Sequence, residues 1–488
     1  MNWVLFRNFC CKNTLKMLKI SSENCLKNKH VILLIIVCFG AFLRFWNLGY
    51  WSFWIDEVLT VLDSKDISLS NSPINPIPYL VTKLSVVFCD KLSFLFDGSE
   101  EWKYRFLFCI AGIISIPIIF YLAQSLYNKE VGILAAIFTS LSNWHIFWSQ
   151  NTRSYILTFL FGALTAWFFY RSLEKDSLLL TISAFLSCLC LILSHLLAAV
   201  IISALAAYSI SLLLENKSRR RIINLLIFFI PFTLPVFSLL VPQIRNHIFS
   251  GWGYNEWGRS PFYIMLTVVQ GVSIPIAVTA FISGFVGRKD KPTRFLLCFA
   301  GIPLILLILV SQFQNVAGYY LFWSTPAYFI LSALVCTHLW RIIGDDKHIL
   351  IKSLLPLVLI VGLLSQDYLY FRYENGGRPK WREAFNYLEF QMEAEDKVVL
   401  SETRMGEFYL PDMEQVYIGE LIDDSEDFEE KIASRTNRWW FVVDVASFNV
   451  FDADQKVRNW IRQRCRIVST FPTFSRAKDR TIHIFLYE

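Results

Sequence analysis

Two adjacent carboxylates follow a run of aromatic residues near the start of the chain. Asp56 and Glu57 come directly after Trp51, Phe53 and Trp54, and such aromatic side chains concentrate where a membrane meets water. A carboxylate that is partly removed from water beside a second one has a raised pKa, which suits a general base. An exposed acidic pair at a helix start is the alternative, because the helix dipole favours negative charge there. The residues alone leave both interpretations open.

The composition places these carboxylates in a membrane protein. Of 488 residues, 55% are hydrophobic and only 18% are charged, which is too few to cover a soluble protein of this size. Apolar windows long enough to cross a hydrocarbon core of about 30 Å recur between residues 31 and 366. The sequence therefore predicts an α-helical polytopic membrane module at 31–368, preceded by a cytoplasmic segment at 1–30. Residues 369–488 return to soluble composition and form a separate domain.

The charges between the apolar windows predict the topology. About eleven crossings are expected, at 31–48, 104–124, 131–148, 154–172, 178–194, 196–214, 222–241, 262–285, 295–312, 319–340 and 348–366. The basic loops then fall on one side, which the positive-inside rule assigns to the cytoplasm, starting with the lysine-rich segment 1–30. No small-residue cleavage site follows the apolar run that comes after this segment, so a signal anchor is predicted and not a removed signal peptide. The acidic loop 49–103 and the C-terminal domain are expected outside.

One apolar segment, 77–96, is predicted to lie in the membrane interface instead of crossing it. It carries Lys83, Asp90 and Lys91, while its apolar residues follow helical spacing. One face of the helix is therefore apolar and the other charged. Counting it as a crossing would invert the sidedness of every later loop.

The C-terminal domain is predicted to be a small α/β unit with a partly parallel sheet. The strands are expected at 398–400, 416–418, 440–445, 467–470 and 482–487, and the helices at 381–392, 424–434 and 452–464. The domain begins after a turn at Gly376 and Gly377.

Cysteine spacing and net charge argue against a metal-binding, a disulfide-rich and a nucleic-acid-binding protein. The eleven cysteines show neither metal-ligand spacing nor a paired framework. The formal charge of +6 reflects the cytoplasmic lysines and arginines, so no nucleic-acid partner is predicted.

Several short motifs, in order along most of the chain, resemble the family 39 glycosyltransferases. They are Leu43-Arg44-Phe45, Asn47-Leu48-Gly49, Trp54-Ile55-Asp56-Glu57, Ser149-Gln150-Asn151-Thr152-Arg153-Ser154-Tyr155 and Pro379-Lys380-Trp381-Arg382-Glu383-Ala384. That family includes protein O-mannosyltransferases and lipid A aminoarabinose transferases. The resemblance implies a C-type membrane glycosyltransferase that takes a sugar from a polyprenyl-phosphate carrier, with inversion, and gives it to a protein, lipid or glycan acceptor.

The resemblance also assigns roles to individual residues. Asp56 matches the loop acid that removes the acceptor proton, and Glu57 would orient the acceptor or hold a divalent metal, the one cofactor considered. Arg153, Tyr155 and His195 would bind the donor phosphate, since a guanidinium matches phosphate oxygens. From the residues alone, Arg153 is equally an interfacial anchor, and His195 is equally a structural residue between two helices.

Two departures from the family pattern change the expected substrate contacts. Asn75 and Tyr79 stand in a stretch where many members have a histidine and a further tyrosine. Tyr319-Tyr320 stands where an Arg-Tyr pair is common, so Arg245 or Arg259 is a candidate to replace the missing arginine. Asn75, Tyr79, Tyr320 and Arg259 are the predicted substrate-binding set.

Two other functions remain open at this stage. A transporter or flippase for lipid-linked sugars would bury ionisable residues at mid-membrane, at roughly 2.5 to 3.5 kcal/mol each. A non-catalytic membrane scaffold would leave the charged residues as surface features. The expected location is a bacterial plasma membrane, with the C-terminal domain outside.

Overall fold

The computed structural model describes residues 29–65, 75–91, 98–215, 218–240, 260–286, 290–312, 316–343, 349–393, 395–413, 415–419, 438–452, 455–475 and 478–487. The predicted helix at 424–434 and the candidates Arg245 and Arg259 lie outside these residues.

The part of the chain before the C-terminal domain is helical. Its α-helices are α1 (Lys29–Phe45), α2 (Ile55–Lys65), α3 (Pro76–Lys91), α4 (Glu100–Leu126), α5 (Lys129–Ser140), α6 (Asn143–Ser149), α7 (Tyr155–Lys175), α8 (Leu178–Ser194), α9 (Ile201–Glu215), α10 (Arg219–Phe229), α11 (Leu234–Leu240), α12 (Pro261–Val272), α13 (Ile274–Val286), α14 (Lys291–Val310), α15 (Thr325–Ile342) and α16 (Ile349–Arg372). Short 3-10 helices lie at Leu196–Val200, Ile230–Phe232, Gly318–Ser324 and Asn375–Gly377.

The helices are those of a multi-pass membrane protein. Among the described residues, six helical stretches are long and apolar enough to cross a membrane, or up to eight if each of two bent pairs is one span. Several of the eleven predicted crossings are shorter or broken. The 222–241 window, for example, contains two short α-helices, α10 and α11, with a 3-10 turn between them.

The predicted crossing at 131–148 is interrupted, and a distant arginine explains the interruption. Helices α5 and α6 meet at an angle of 60°. Arg44 of α1 is buried and donates hydrogen bonds to the backbone carbonyls of Thr139 and Ser140, both at 3.0 Å. The side chain of Ser142 caps the start of α6. The last carbonyls of α5 are thus satisfied without a continuing helix.

The predicted crossing at 262–285 is bent more sharply. Helices α12 and α13 meet at 101°, and Ser273 between them has a φ of 81°. Pro275 follows two residues later and lacks the N–H that a continuous helix would use. A break is therefore built into the sequence at this point.

Helix α3 corresponds to the predicted interfacial helix. Its exposed side carries Leu80, Leu84, Val87 and Phe88. The opposite side has small and polar side chains and packs on α4. There Ser85 donates a hydrogen bond to the Lys103 carbonyl (2.6 Å). An apolar outer face is what a helix in contact with lipid requires.

The C-terminal domain is an α/β unit, as predicted. It contains α17 (Trp381–Gln391), β1 (Lys397–Leu400), α18 (Thr403–Tyr409), β2 (Gln415–Tyr417), β3 (Trp439–Asp444), α19 (Val445–Phe451), α20 (Lys456–Arg464), β4 (Arg466–Phe471), β5 (Phe474–Ser475), β6 (Lys478–Asp479) and β7 (Ile482–Tyr487). Five strands form one sheet in the order β2-β1-β3-β7-β4. β1 is parallel to β2 and β3, whereas β7 is antiparallel to β3 and β4.

The first long loop and the C-terminal domain share a hydrophobic core. Phe53 and Val58 pack in one buried cluster with Trp381, Phe385 and other residues of the domain. The Ser52 hydroxyl donates to the Pro379 carbonyl (2.7 Å) and accepts from the Trp381 N–H (3.1 Å). The C-terminal domain therefore holds the segment that contains the two candidate carboxylates.

The turn before the C-terminal domain needs glycine. Gly376 and Gly377 have φ angles of 60° and 74°. A Cβ atom on Gly376 would also lie 2.3 Å from the Trp51 ring. Both the left-handed backbone and the close approach to the loop therefore require a residue without a side chain.

Candidate active site

Glu57 is completely buried and accepts four hydrogen bonds. Arg105 of α4 donates from Nε to Oε1 (2.8 Å) and from Nη2 to Oε2 (2.7 Å). Arg378 donates from Nε to Oε2 (3.0 Å), and the Thr152 N–H donates to Oε1 (2.9 Å). Burial alone would raise the pKa of Glu57, but the two guanidinium charges and these hydrogen bonds outweigh it and lower the pKa.

These contacts assign Glu57 a positioning role. A carboxylate offers about four acceptor sites, and all of them are filled here. The prediction that Glu57 holds a metal or contacts the acceptor does not fit this geometry. Among the residues that the structure describes, no group of three or more histidine, cysteine or acidic side chains could hold a metal ion.

The two arginines beside Glu57 were missed in the sequence. Arg105 lies in a predicted crossing, where a charged residue is rare and needs a partner, so its position was a usable signal. Arg378 directly precedes the Pro379 motif but had no local feature that pointed to Glu57. Their distance from Glu57 along the chain, 48 and 321 residues, explains the omission.

Asp56 differs from its neighbour because its carboxylate stays available. Arg153 donates from Nη1 to the Asp56 backbone carbonyl (3.3 Å) and to the Thr60 hydroxyl (2.9 Å). Its Nη2 lies 3.9 Å from Asp56 Oδ2, and both side chains are about 30% exposed, at 30% for Asp56 and 27% for Arg153. Burial raises the pKa of Asp56, the charges of Arg153 and Arg480 oppose this shift, and Glu57 adds to it.

An aromatic cluster lies beside this acid-arginine pair. The Tyr155 ring centroid is 4.1 Å from Trp148, 5.3 Å from Tyr319 and 5.6 Å from His195. Tyr320 also approaches His195, with centroids 5.0 Å apart. The rings belong to α6, α7, the α8–α9 break and the 3-10 helix at Gly318–Ser324, so four separate elements converge here.

The two predicted residues near α3 are also part of this region. Asn75 Oδ1 accepts a hydrogen bond from the Leu196 N–H (3.0 Å), directly after His195. Asn75 therefore positions the break that carries the histidine. Burial raises the pKa of Tyr79, and the charge of Arg153 opposes this shift, which places the phenol within the field of that arginine.

Several buried polar atoms in the same region lack a hydrogen-bond partner among the described residues. Buried polar atoms normally have hydrogen-bond partners. Within the described residues, those without one include Trp54 Nε1, Trp148 Nε1, both amide atoms of Asn151, Thr152 Oγ1, Arg153 Nε and His195 Nδ1. Donors and acceptors left free beside an available carboxylate are suited to a polar ligand.

Most of the predicted site residues are thus brought together. Asp56, Arg153, Tyr155, His195, Tyr79 and Tyr320 converge, with Asn75 behind the histidine and Arg259 outside the described residues. His145 and Gln150, which precede Arg153 in the chain, have structural roles. His145 is bonded to Arg44 (2.8 Å) and Ser115 (2.8 Å), and Gln150 donates to the Arg44 and Trp46 carbonyls.

Similarity to known proteins agrees with this architecture. Residues 86–244 match the model of the family described as dolichyl-phosphate-mannose-protein mannosyltransferase. No curated protein sequence matches the chain. The crystal structure of ArnT from Cupriavidus metallidurans bound to undecaprenyl phosphate is 15% identical, with a TM-score of 0.54 over 93% of this chain and 97% of that one.

A second group of structures is similar to most of the chain. The oligosaccharyltransferase AglB from Archaeoglobus fulgidus, in complex with an inhibitory peptide and a dolichol-phosphate, is 11% identical. Its TM-score is 0.57 over 87% of this chain and 71% of that one. These matches confirm the fold of a C-type membrane glycosyltransferase with a small C-terminal α/β domain. The match of residues 86–244 to the mannosyltransferase family model agrees with the resemblance to family 39 glycosyltransferases noted in the sequence.

Proposed function

We propose that the protein is a membrane glycosyltransferase that moves a sugar from a polyprenyl-phosphate carrier to a hydroxyl group on the extracytoplasmic side. The observation that carries this proposal is the available Asp56 carboxylate beside Arg153, among unsatisfied polar atoms. The undecaprenyl phosphate in the ArnT structure and the dolichol-phosphate in the AglB structure support the class of donor. We place the protein in a bacterial plasma membrane, with the C-terminal domain outside as the positive-inside pattern of its loops predicts.

The arrangement suits a single displacement at the anomeric carbon. Asp56 takes the proton of the acceptor hydroxyl as its oxygen forms a bond to that carbon. The bond from the carbon to the carrier phosphate breaks, and the phosphate leaves with the electron pair. Arg153 faces the developing negative charge, with the Tyr155 and Tyr320 hydroxyls and His195 as further polar partners. One displacement inverts the configuration of the sugar.

Replacing Asp56 with asparagine tests this role directly. We expect Asp56→Asn to lower transfer by about 100-fold or more, because the base is lost. The measurement is product formation by purified protein in lipid nanodiscs supplied with a panel of polyprenyl-phosphate sugars. Asp63→Asn, an exposed acid on the same helix, is the matched control and should transfer sugar like the wild type. Unchanged transfer by Asp56→Asn would remove Asp56 as the base.

The same assay examines the transporter alternative. Of the ionisable residues buried in the spans, Arg105 is paired with Glu57 and Arg44 bonds backbone carbonyls. Asp367 in α16 is buried and forms no salt bridge with a described residue. Movement of the carrier across the bilayer without sugar transfer, lost in Asp367→Asn, would favour a flippase.

A further inference from the structure

The two faces of the C-terminal sheet have different neighbours. On β3, Trp440 and Val442 pack in the hydrophobic cluster that contains α17 and the first loop. Successive side chains of a strand point to opposite faces, and Phe441 and Val443 pack instead with residues of α19 and α20. These two helices therefore cover the outer face of the sheet, which is turned away from the first loop.

A partly open cavity of about 90 Å³ lies on this outer face, between β3, β7, α19 and α20. Five of its eight lining residues are apolar, among them Val445 and Ile461. The other three are Arg458, Arg462 and His483, so no acidic residue lines it. An apolar cavity of about 150 Å³ can hold benzene, so this one suits a smaller apolar group, such as the end of an aliphatic side chain.

Two cations of this cavity belong to one side of α20. Arg458 and Arg462 are four residues apart, which places them next to each other on the helix surface. The Arg458 guanidinium lies 5.2 Å from the centroid of the Phe448 ring and donates to Asn449 Oδ1. Arg462 is exposed and forms neither a hydrogen bond nor a salt bridge with any residue that the structure describes. One guanidinium is therefore held in place, and the next is available to a ligand.

Positive charge continues beyond the cavity. Residues 455–469 contain five basic residues and no acidic one. Of these, Lys456 and Arg464 are exposed on either side of the cavity residues in the chain. A row of cations beside an apolar cavity matches a ligand that carries several negative charges and an apolar group.

The place and the lining of the cavity select among anionic ligands. The head groups of anionic lipids lie at the membrane surface, whereas the cavity opens on the face turned away from the first loop. An acidic polysaccharide has the charges but no apolar side chain for the cavity. An acidic segment of polypeptide supplies both, and its carboxylates match the planar guanidinium group.

We propose that the outer face of the C-terminal domain binds an acidic segment of a separate protein. One aliphatic side chain of that segment occupies the cavity, and the adjacent carboxylates accept hydrogen bonds from Arg462 and the neighbouring cations. This binding is distinct from sugar transfer, because the cavity lies on the opposite face of the sheet from the loop that carries Asp56.

Binding of short peptides tests this inference. Full-length protein in nanodiscs of zwitterionic lipid receives a fluorescein-labelled peptide with one leucine between glutamates, and fluorescence anisotropy gives the Kd. We expect Arg462→Gln to raise the Kd about tenfold, because charge-assisted hydrogen bonds are lost. A peptide with serine in place of leucine should bind the wild type about tenfold more weakly, because the cavity stays unfilled.

Two further variants separate the cavity from the charge. Val445→Met fills part of the cavity and keeps the cations, so the leucine peptide should bind it no better than the serine peptide does. Arg404→Gln removes an exposed arginine of α18, a helix that packs on the other face of the sheet, and should leave both Kd values unchanged. Thermal unfolding midpoints check that each variant is folded. The exposed Arg462 side chain makes Arg462→Gln decisive even if Val445→Met is destabilised.

Three results would overturn the inference. The first is that the wild type does not bind the leucine peptide at about 1 mM. The second is an equal loss of binding in Arg462→Gln and Arg404→Gln, which indicates nonspecific attraction between charges. The third is binding of anionic vesicles or dextran sulfate that depends on Arg462, without binding of either peptide.

Discussion

Asp56 and Glu57 are neighbours in sequence, yet their surroundings give them opposite properties. Two guanidinium groups lower the pKa of Glu57 in spite of its burial, while burial raises the pKa of Asp56. Pairs of carboxyl groups whose pKa values are pushed apart are typical of sites that divide two roles between them. Here the inner carboxylate fixes the start of α2, and the outer one remains free to accept a proton.

Removing the charge of Glu57 should destabilise the protein strongly. Glu57→Gln keeps the shape of the side chain but leaves Arg105 and Arg378 as uncompensated buried charges. We expect a loss of about 3 to 5 kcal/mol, measured from the unfolding midpoint in nanodiscs. Glu100→Gln removes a surface partner of Lys103 and should cost less than about 1 kcal/mol. Equal losses in the two variants would contradict the role assigned to Glu57.

The half-buried carboxyl of Glu402 predicts a pH dependence. Its pKa rises from 4.5 to about 7 in the folded protein, so the folded state holds this proton more tightly than the unfolded chain. The stability that Glu402 contributes is present below about pH 4.5 and is lost as the pH rises toward about 7. Thermal unfolding midpoints should therefore fall more steeply over this range in the wild type than in Glu402→Gln. Glu407→Gln, on the exposed side of α18, should retain the wild-type slope.

At the scale of elements, a 3-10 helix positions part of the candidate site. Asn75 holds the start of Leu196–Val200, and His195 precedes it directly. Asn75→Ala removes this bond, worth about 1 kcal/mol, and should raise the KM for the donor about fivefold. Asn75→Asp keeps the accepting oxygen and should restore the KM. A donor KM that is the same in all three proteins would show that Asn75 does not position His195.

Elements with local causes were predictable from the sequence. The strands of the C-terminal sheet were confirmed close to their expected positions, because their apolar runs are short and bounded by turns. The bend at 141–142 was not predictable, since it depends on Arg44, about 95 residues earlier in the chain. In the site, the motif residues around Asp56 and Arg153 converge as expected. The buried contacts of Glu57 were not predictable, because both of its arginine partners are distant in sequence.

At the scale of the whole molecule, the C-terminal domain completes the site instead of being attached beside it. Its α17 and sheet bury Phe53 and Val58 of the first loop, and the charge of its Arg480 acts to lower the pKa of Asp56. A transferase needs both substrates within reach of one base. For the proposed transfer, the membrane module supplies Arg153, and the C-terminal domain holds the loop that carries Asp56.

Arg378 links the first loop, the membrane module and the C-terminal domain. Besides Glu57, it donates to the carbonyls of Gln150 (2.5 Å) and Gly376 (2.6 Å), so it joins α2, the turn after α6 and the domain entry. The single ammonium group of lysine cannot replace the several N–H donors of the planar guanidinium group. Arg378→Lys should therefore lower stability by about 2 kcal/mol or more and lower sugar transfer in parallel.

Hydrogen exchange can locate the effect of that substitution. Amides in 375–381 and in α2 should exchange faster in Arg378→Lys, because the loop and the domain entry lose their common anchor. Arg372→Lys changes an exposed arginine in the last turn of α16 and should exchange like the wild type. If faster exchange were confined to 375–381 and α2 stayed protected, the domain would not hold the base in place, and a reduced transfer rate would need another cause.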